Sequence, residues 1–296
     1  MKTLADIGED DLVRRLVRGR CTGEGVVEGP GDDCAVVQAP RPGRHLLLKT
    51  DTVVEGVHFM ADTPAHLVGR KALARVLSDF AAMAATPRHA LVTLIAPPDT
   101  PVRRVLDLYR GLHALARKFG VAVVGGETAR GGQLIVTVSL SGDAPATGWV
   151  RRHGARAGDR LFVTGRLGGS IGGRHLRFQP RLAEAQWLAR RLPVRAMMDL
   201  SDGLAKDLPR LAGGAGLGFE VDAQALPCAA GCTPFQAWCD GEDYELLLAV
   251  APGVRSAALA AWRKAFPRLP LTCIGRLTDT PRRGTAPKGG WDHFRA

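Results

Sequence analysis

Aromatic residues make up only 5% of the 296-residue chain, with two tyrosines among them, so a hydrophobic content of 46% must build its core on Leu, Val and Ala. No stretch approaches the roughly 18 apolar residues needed to cross a bilayer, and Met1-Lys2-Thr3-Leu4-Ala5-Asp6 lacks the apolar segment of a signal peptide. A soluble, cytoplasmic protein with no membrane partner is expected. The six cysteines are dispersed, and only Cys228 and Cys232 are close, without a second pair or a neighbouring His, which argues against both a zinc site and a disulfide framework. Free thiols in a reducing compartment fit better. Acid is in deficit, 29 Asp plus Glu against 40 Lys plus Arg, for a net charge of +11. No aromatic-interleaved basic stripe, RNP-like stretch or helix-turn-helix pattern accompanies that charge, so nucleic acid is not an expected partner. The excess either steers anionic substrates or reflects an arginine-rich background. A P-loop ending and a dinucleotide fingerprint are both missing from the Gly165–Gly173 segment, which reads equally well as a surface loop or a phosphate contact.

The acids that are present fall into short motifs: Gly31-Asp32-Asp33, Thr50-Asp51, Ser78-Asp79, Gly125-Gly126-Glu127, Asp199-Leu200-Ser201-Asp202 and Gly241-Glu242-Asp243. Gathering such carboxylates in a fold is costly unless cations offset their repulsion, and hard oxygen ligands favour magnesium over zinc. A site for metal-bound phosphates is the leading idea.

Apolar runs at 34–38 and 45–50 flank a Pro/Gly-rich turn and predict two strands, the second closed by Thr50-Asp51-Thr52. Residues 64–85 carry apolar residues at helical spacing, which places Ser78-Asp79 inside a helix where an acid must be satisfied. Strands are predicted at 90–96, 121–124, 134–141, 160–165, 196–199, 217–222, 244–250 and 271–276, with helices at 101–118, 181–191, 203–213 and 254–265. A boundary near 142–155 divides residues 1–145 from 146–296 as two α+β domains. Taken singly, the motifs have bland explanations: an Asx-turn at Asp32-Asp33, a loop at Gly125–Glu127, a helix cap by Ser201 or Asp202, a structural His58. The amides opening the 203–213 helix are also a seat for phosphate.

Taken in order, these motifs, with Gly56-Val57-His58-Phe59, Leu77-Ser78-Asp79-Phe80-Ala81-Ala82-Met83, Gly241-Glu242-Asp243-Tyr244-Glu245-Leu246 and Trp291-Asp292-His293-Phe294, resemble the thiamine-monophosphate kinase family over residues 24–294. That family belongs to the wider superfamily of aminoimidazole ribonucleotide synthetase. The resemblance implies a two-domain α+β aminoimidazole ribonucleotide synthetase-like fold, a homodimer, and N-terminal strands that contribute to an intersubunit barrel. It implies ATP-dependent phosphorylation of thiamine monophosphate to thiamine diphosphate, with several Mg2+ ions and ATP as co-substrate. Carried over motif by motif, Asp33, Thr50, Asp51, Asp79, Glu127, Asp199 and Asp202 look like metal ligands. Gly126, Glu127, Arg152 and Ser201 look like nucleotide contacts, and His58, Glu242 and Trp291 like substrate contacts. No side chain is implied as a direct catalyst, because metal-assisted positioning suffices when the acceptor phosphate is already ionised.

Two departures stand out. Glu127 replaces the family's usual Asp, and His175-Leu176 follows Gly168-Gly169-Ser170 after a shorter segment than usual. They motivate two alternatives: a related ATP-dependent synthetase acting on another small substrate, and a non-catalytic regulator that binds magnesium-nucleotide.

Overall fold

The computed structural model describes residues 3–17, 24–40, 42–280 and 287–294; Cys21 lies outside them. Two short helices, α1 (Leu4–Ile7) and α2 (Glu9–Val17), precede strands β1 (Val26–Glu28), β2 (Ala35–Gln38) and β3 (Arg44–Val54). Helix α3 (Ala65–Ala82) leads to β4 (Thr86–Ala96), α4 (Val102–Phe119), β5 (Ala122–Arg130) and β6 (Ile135–Pro145). The six strands form one sheet in the order β1-β2-β3-β6-β4-β5, antiparallel except for the pairing of β4 with β5. A parallel pair needs a crossover, and α4 supplies it, ending on Gly120 in the left-handed conformation at φ 67°.

Along β4, Ala90, Val92 and Leu94 are buried, and they alternate with Leu91, Thr93 and Ile95 on the other face. The two long helices approach through glycine: a Cβ at Gly69 would lie 2.0 Å from the Leu108 carbonyl oxygen, and one at Gly111 1.8 Å from that of His66. Larger residues at either position would force α3 and α4 apart.

The second sheet comprises β7 (Arg160–Thr164), β8 (Val194–Asp199), β9 (Gly218–Val221), β10 (Leu246–Val250) and β11 (Leu271–Thr278), all antiparallel in the order β8-β10-β7-β11-β9. It is accompanied by α5 (Leu182–Arg191), α6 (Leu204–Gly213), α7 (Pro234–Cys239) and α8 (Ser256–Ala265). Strand β10 is buried on both faces. Leu246, Leu248 and Val250 join a core that continues through Leu73 and Val92 of the first half. Leu247 and Ala249 join a second core with Leu204, Leu208 and Trp238. A strand covered on both sides needs no polar alternation, which accounts for the unbroken Leu-Leu-Leu-Ala-Val sequence.

The structure departs from the sequence-based expectations at two functional motifs. Strand β3 runs on to Val54, so Thr50-Asp51-Thr52 sits mid-strand instead of closing it. Strand β5 continues to Arg130, and Gly125-Gly126-Glu127 is strand instead of loop, with Gly126 opposite Val92 and Glu127 opposite Thr93. A side chain at Gly126 would place its Cβ 1.8 Å from the Val92 carbonyl oxygen, so this glycine serves close strand approach. Helix α7, opened by a Thr233–Gln236 capping box, was not anticipated. No helix among the described residues is long and apolar enough to cross a membrane.

Candidate active site

Three of the acids meet where α3 of the first half packs on β8 of the second. Asp33 arrives from the turn before β2, Asp79 from the last turn of α3 and Asp199 from the end of β8. All three are buried, and one carboxylate oxygen of each lies within 4.8 Å of the others. Burial and the neighbouring Asp33 push Asp199 up to about 6, although Ser78 donates a hydrogen bond to it. Asp79 is raised by burial, with Lys49 opposing the shift. Asp32, next in chain to Asp33, is likewise pushed up to about 6 by burial and by Asp33. One Asp33 oxygen, Oδ2, is buried with no hydrogen-bond partner. An orphaned buried oxygen beside two acids that resist ionisation is the donor set a hard divalent cation would satisfy, and the residues fit magnesium.

Cationic side chains collar the cluster. Lys49 Nζ donates to Asp79 Oδ1 at 2.7 Å, and Arg152 Nη2 donates to Asp33 Oδ1 at 2.5 Å. The Arg152 backbone N–H donates to Asp32 at 2.9 Å. Arg75 lies 3.4 Å from Asp51 and donates to the Thr52 carbonyl at 3.0 Å. Burial disfavours the charge on Lys49, yet Asp79 and Asp51 outweigh it and hold the ammonium protonated. Strand alternation places Lys49 and Asp51 on the helix-covered face. Thr50 therefore points the other way, its hydroxyl 3.0 Å from that of Ser139 on β6, and its side chain does not join the cluster.

Beside the acids lies a cavity of about 310 Å³ whose lining includes His58, Arg75, Ser201, Asp202, Glu242 and Trp291. Burial, and then Arg75, lower His58 to about 3, so its ring is neutral near pH 7. His58 Nδ1 accepts the Val54 N–H at 3.1 Å, which puts the ring proton on Nε2, a buried donor without a protein partner. Glu242 is held differently. Burial would raise its pKa, but His175 and Lys71 overcome that and bring it down to about 2. Trp291 is pinned by backbone: its N–H donates to the Asp202 carbonyl at 2.9 Å, and its own carbonyl accepts from Lys206 at 2.6 Å.

Asp202 carries Arg210 at 2.6 Å and Lys206 at 3.5 Å. Neither Ser201 nor Asp202 caps α6. Instead Asp207, inside that helix and fully buried, accepts from the N–H groups of both at 3.0 Å. The two amides just before the helix are thus taken by a side chain. The glycine-rich loop is committed in the same way, since Gly168 N–H donates to Asp243 at 2.9 Å and Gly169 N–H to Asp240 at 2.7 Å. Glu127 stands exposed on edge strand β5, outside the three-acid cluster, and Oε1 accepts the Thr128 N–H at 2.8 Å.

Several contributors were missed from sequence: Lys49, Lys71, Arg75, His175 and Asp207. Lys71, Arg75 and Asp79 recur every fourth residue of α3, a charged stripe on one face of an apolar helix, and that period could have revealed them. Lys49 shares its strand face with Asp51, another legible signal.

The chain matches the AIR synthase related protein family, its N-terminal domain over residues 31–144 and its C-terminal domain over residues 129–285. It is 39% identical to the thiamine-monophosphate kinase of Rhodopirellula baltica, over 77% of each chain. It is 35% identical to that of Salmonella typhimurium, over 97% of this chain and 98% of the relative. Among solved structures it is similar to AaThiL complexed with AMPPCP and TMP, at a TM-score of 0.82 and 28% identity over 99% of both chains.

Proposed function

The chain belongs to the thiamine-monophosphate kinase family, within the AIR synthase related proteins, and we propose that it transfers the γ-phosphoryl group of ATP to thiamine monophosphate, yielding ADP and thiamine diphosphate. The observation that carries this reading is the adjacency of three buried carboxylates to a cavity lined by His58, Glu242 and Trp291. Transfer between two phosphates brings strongly anionic groups together, so repulsion is the barrier to be lowered.

Asp33, Asp79 and Asp199, with Asp51 and Asp202 near them, would hold several Mg2+ ions, and Thr50 would contribute through its backbone, since its hydroxyl faces away. Magnesium, when bound, offsets the charge of the acids and of the phosphate oxygens together. Arg152 and Lys49, already beside the acids, add fixed positive charge where polyphosphate enters. Gly126, Glu127 and Ser201 remain assigned to the nucleotide side with Arg152. His58 donates from Nε2 toward the acceptor, and Trp291 offers its ring face. The acceptor's phosphate oxygen is ionised near neutral pH, so no side chain need act as base, and direct transfer without a covalent enzyme intermediate follows.

A homodimer is part of the same reading. The sheet face opposite α3 and α4 carries exposed Leu48, Leu91 and Val124, at 42%, 50% and 60%, around a concavity of about 450 Å³. Apolar exposure of this kind on an open sheet suits closure against a second copy. On this division residues 1–145 bind magnesium-nucleotide and dimerise, residues 146–296 form the C-terminal domain, and the enzyme works in the cytoplasm.

The test is direct. Purified protein with ATP, Mg2+ and thiamine monophosphate is expected to release ADP and thiamine diphosphate in equal amounts. Folded, metal-loaded protein that forms neither product overturns the assignment. Tight magnesium-dependent ATP binding in that same preparation would favour the regulator, and turnover on a different acceptor would favour the synthetase.

A further inference from the structure

Lys71 is fully buried in α3, a placement that is costly for an ammonium group unless each of its N–H bonds is met. Here they are met three times: by the His58 carbonyl at 2.6 Å, by His175 Nδ1 at 2.7 Å and by Glu242 Oε2. His175 Nδ1 lies between Lys71 Nζ and Glu242 Oε2, accepting from the first or donating to the second according to its tautomer. A proton on Nδ1 would serve Glu242 Oε2, 2.8 Å away, and would forfeit the bond from Lys71. Two of the three acceptors belong to residues that line the 310 Å³ cavity, whereas Lys71 itself is not part of that lining.

A second, independent observation concerns the backbone. Glu242 and Tyr244 both adopt left-handed φ, 62° and 51°, which non-glycine residues avoid. Such strain persists where surrounding contacts over-determine it. Glu242 N–H donates to the Ser201 carbonyl at 2.6 Å and Tyr244 N–H to that of Leu200 at 2.8 Å. The backbone thus aims the Glu242 side chain at Lys71. The third leg comes from the shortened glycine-rich segment, whose two 3-10 turns, Ser170–Gly172 and Arg174–Leu176, deliver His175.

We infer that Lys71 is the positioning residue of the acceptor side: through Glu242, with the His58 carbonyl and His175 as braces, it fixes the cavity wall that receives thiamine monophosphate. This rests on the kinase reading above. Lys71 spans both halves of the molecule, joining α3 and the His58 turn to the Glu242 turn and the short loop. Because Glu242 already carries an ammonium partner, its charge is shared before any cationic ring arrives, and its role is oriented hydrogen bonding more than bare charge pairing.

Lys71→Met keeps most of the length of the side chain and removes the donors. It is expected to raise KM for thiamine monophosphate about tenfold while KM for ATP stays within twofold. In a Glu242→Gln background the same substitution should change the acceptor KM less than twofold, because the residue it acts through is already altered. Equal losses in both backgrounds, an unchanged acceptor KM, or parallel rises in both KM values would overturn the inference. Should Lys71→Met fail to fold, His175→Ala takes its place: a rise of about threefold that vanishes in the Glu242→Gln background supports the brace, and an additive or absent effect rejects it. Wild-type turnover tests the kinase reading by itself. If the wild type makes no thiamine diphosphate, calorimetric Kd values for thiamine monophosphate across the same variants decide the Lys71 inference separately.

Discussion

The two acidic regions of the molecule solve opposite problems. On the metal side, Asp33, Asp79 and Asp199 crowd together with fewer cations than charges, and Asp199 is raised to about 6. On the acceptor side each acid is supplied with its own partner. Glu242 has Lys71 and His175, Asp243 has Arg174 and the Gly168 amide, and Glu245 has a two-pronged contact from Arg181, 2.8 and 2.5 Å, plus the Thr164 hydroxyl at 2.7 Å. The first region leaves an acid oxygen without a partner and waits for charge from outside; in the second every acid has a cationic partner, although burial still pushes Asp243 up to about 7. An unbalanced buried cluster therefore marks chemistry more reliably than the number of acids in a motif.

The largest effect is expected where the comparison is broken at its unbalanced end. Asp199→Asn or Asp79→Asn should lower turnover by at least about 100-fold, a loss of several kcal/mol in transition-state stabilisation. The melting temperature of the metal-free Asp199→Asn variant should stay level or rise, since a repulsion is removed, whereas Asp79→Asn also takes the carboxylate from Lys49. Unchanged turnover in both variants would reject their metal roles.

At the balanced end the signs reverse. Glu245→Gln leaves the Arg181 guanidinium without its carboxylate and should cost about 3 kcal/mol of stability, read by denaturant unfolding, while turnover per folded molecule stays within about threefold. A stable but inactive variant would place Glu245 in the chemistry instead.

Acidity sharpens the contrast. Asp32 and Asp199 have pKa values raised to about 6, so in the metal-free protein their favourable contribution to stability is present below the ordinary aspartate range and fades as pH climbs through 6. Magnesium needs the ionised acids. The rise in melting temperature produced by Mg2+ should therefore be several degrees larger at pH 7.5 than at pH 5. An increment independent of pH would mean that the ion binds elsewhere. The smallest effect concerns Glu127→Asp, which restores the residue usual in the family: because Glu127 lies outside the cluster, turnover should change by no more than about twofold.

Much of the scaffold was legible because it obeys simple periods. The helical spacing of Leu73, Val76, Leu77 and Phe80 located α3. Asp33, Asp79 and Asp199 were singled out by their short glycine- or serine-flanked settings. Polar strands were harder. Thr50 and Gly126 sit within strands whose sequences lack alternation there, because pairing with β6 and β4 decides the geometry. Asp207 went unnoticed because a lone acid in an amphipathic helix has an ordinary surface reading; only the approach of the Ser201-Asp202 turn makes it a cap.

By itself, then, the sequence determined most of the elements, the family and the three acids of the metal side, since these depend on local period and residue type. Tertiary structure decided which acids stand unbalanced and which arrive already paired. That distinction depends on distances between segments far apart in the chain, Asp33 with Asp199 and Lys71 with Glu242, and on burial, which turns a modest repulsion in water into a strong demand for cations.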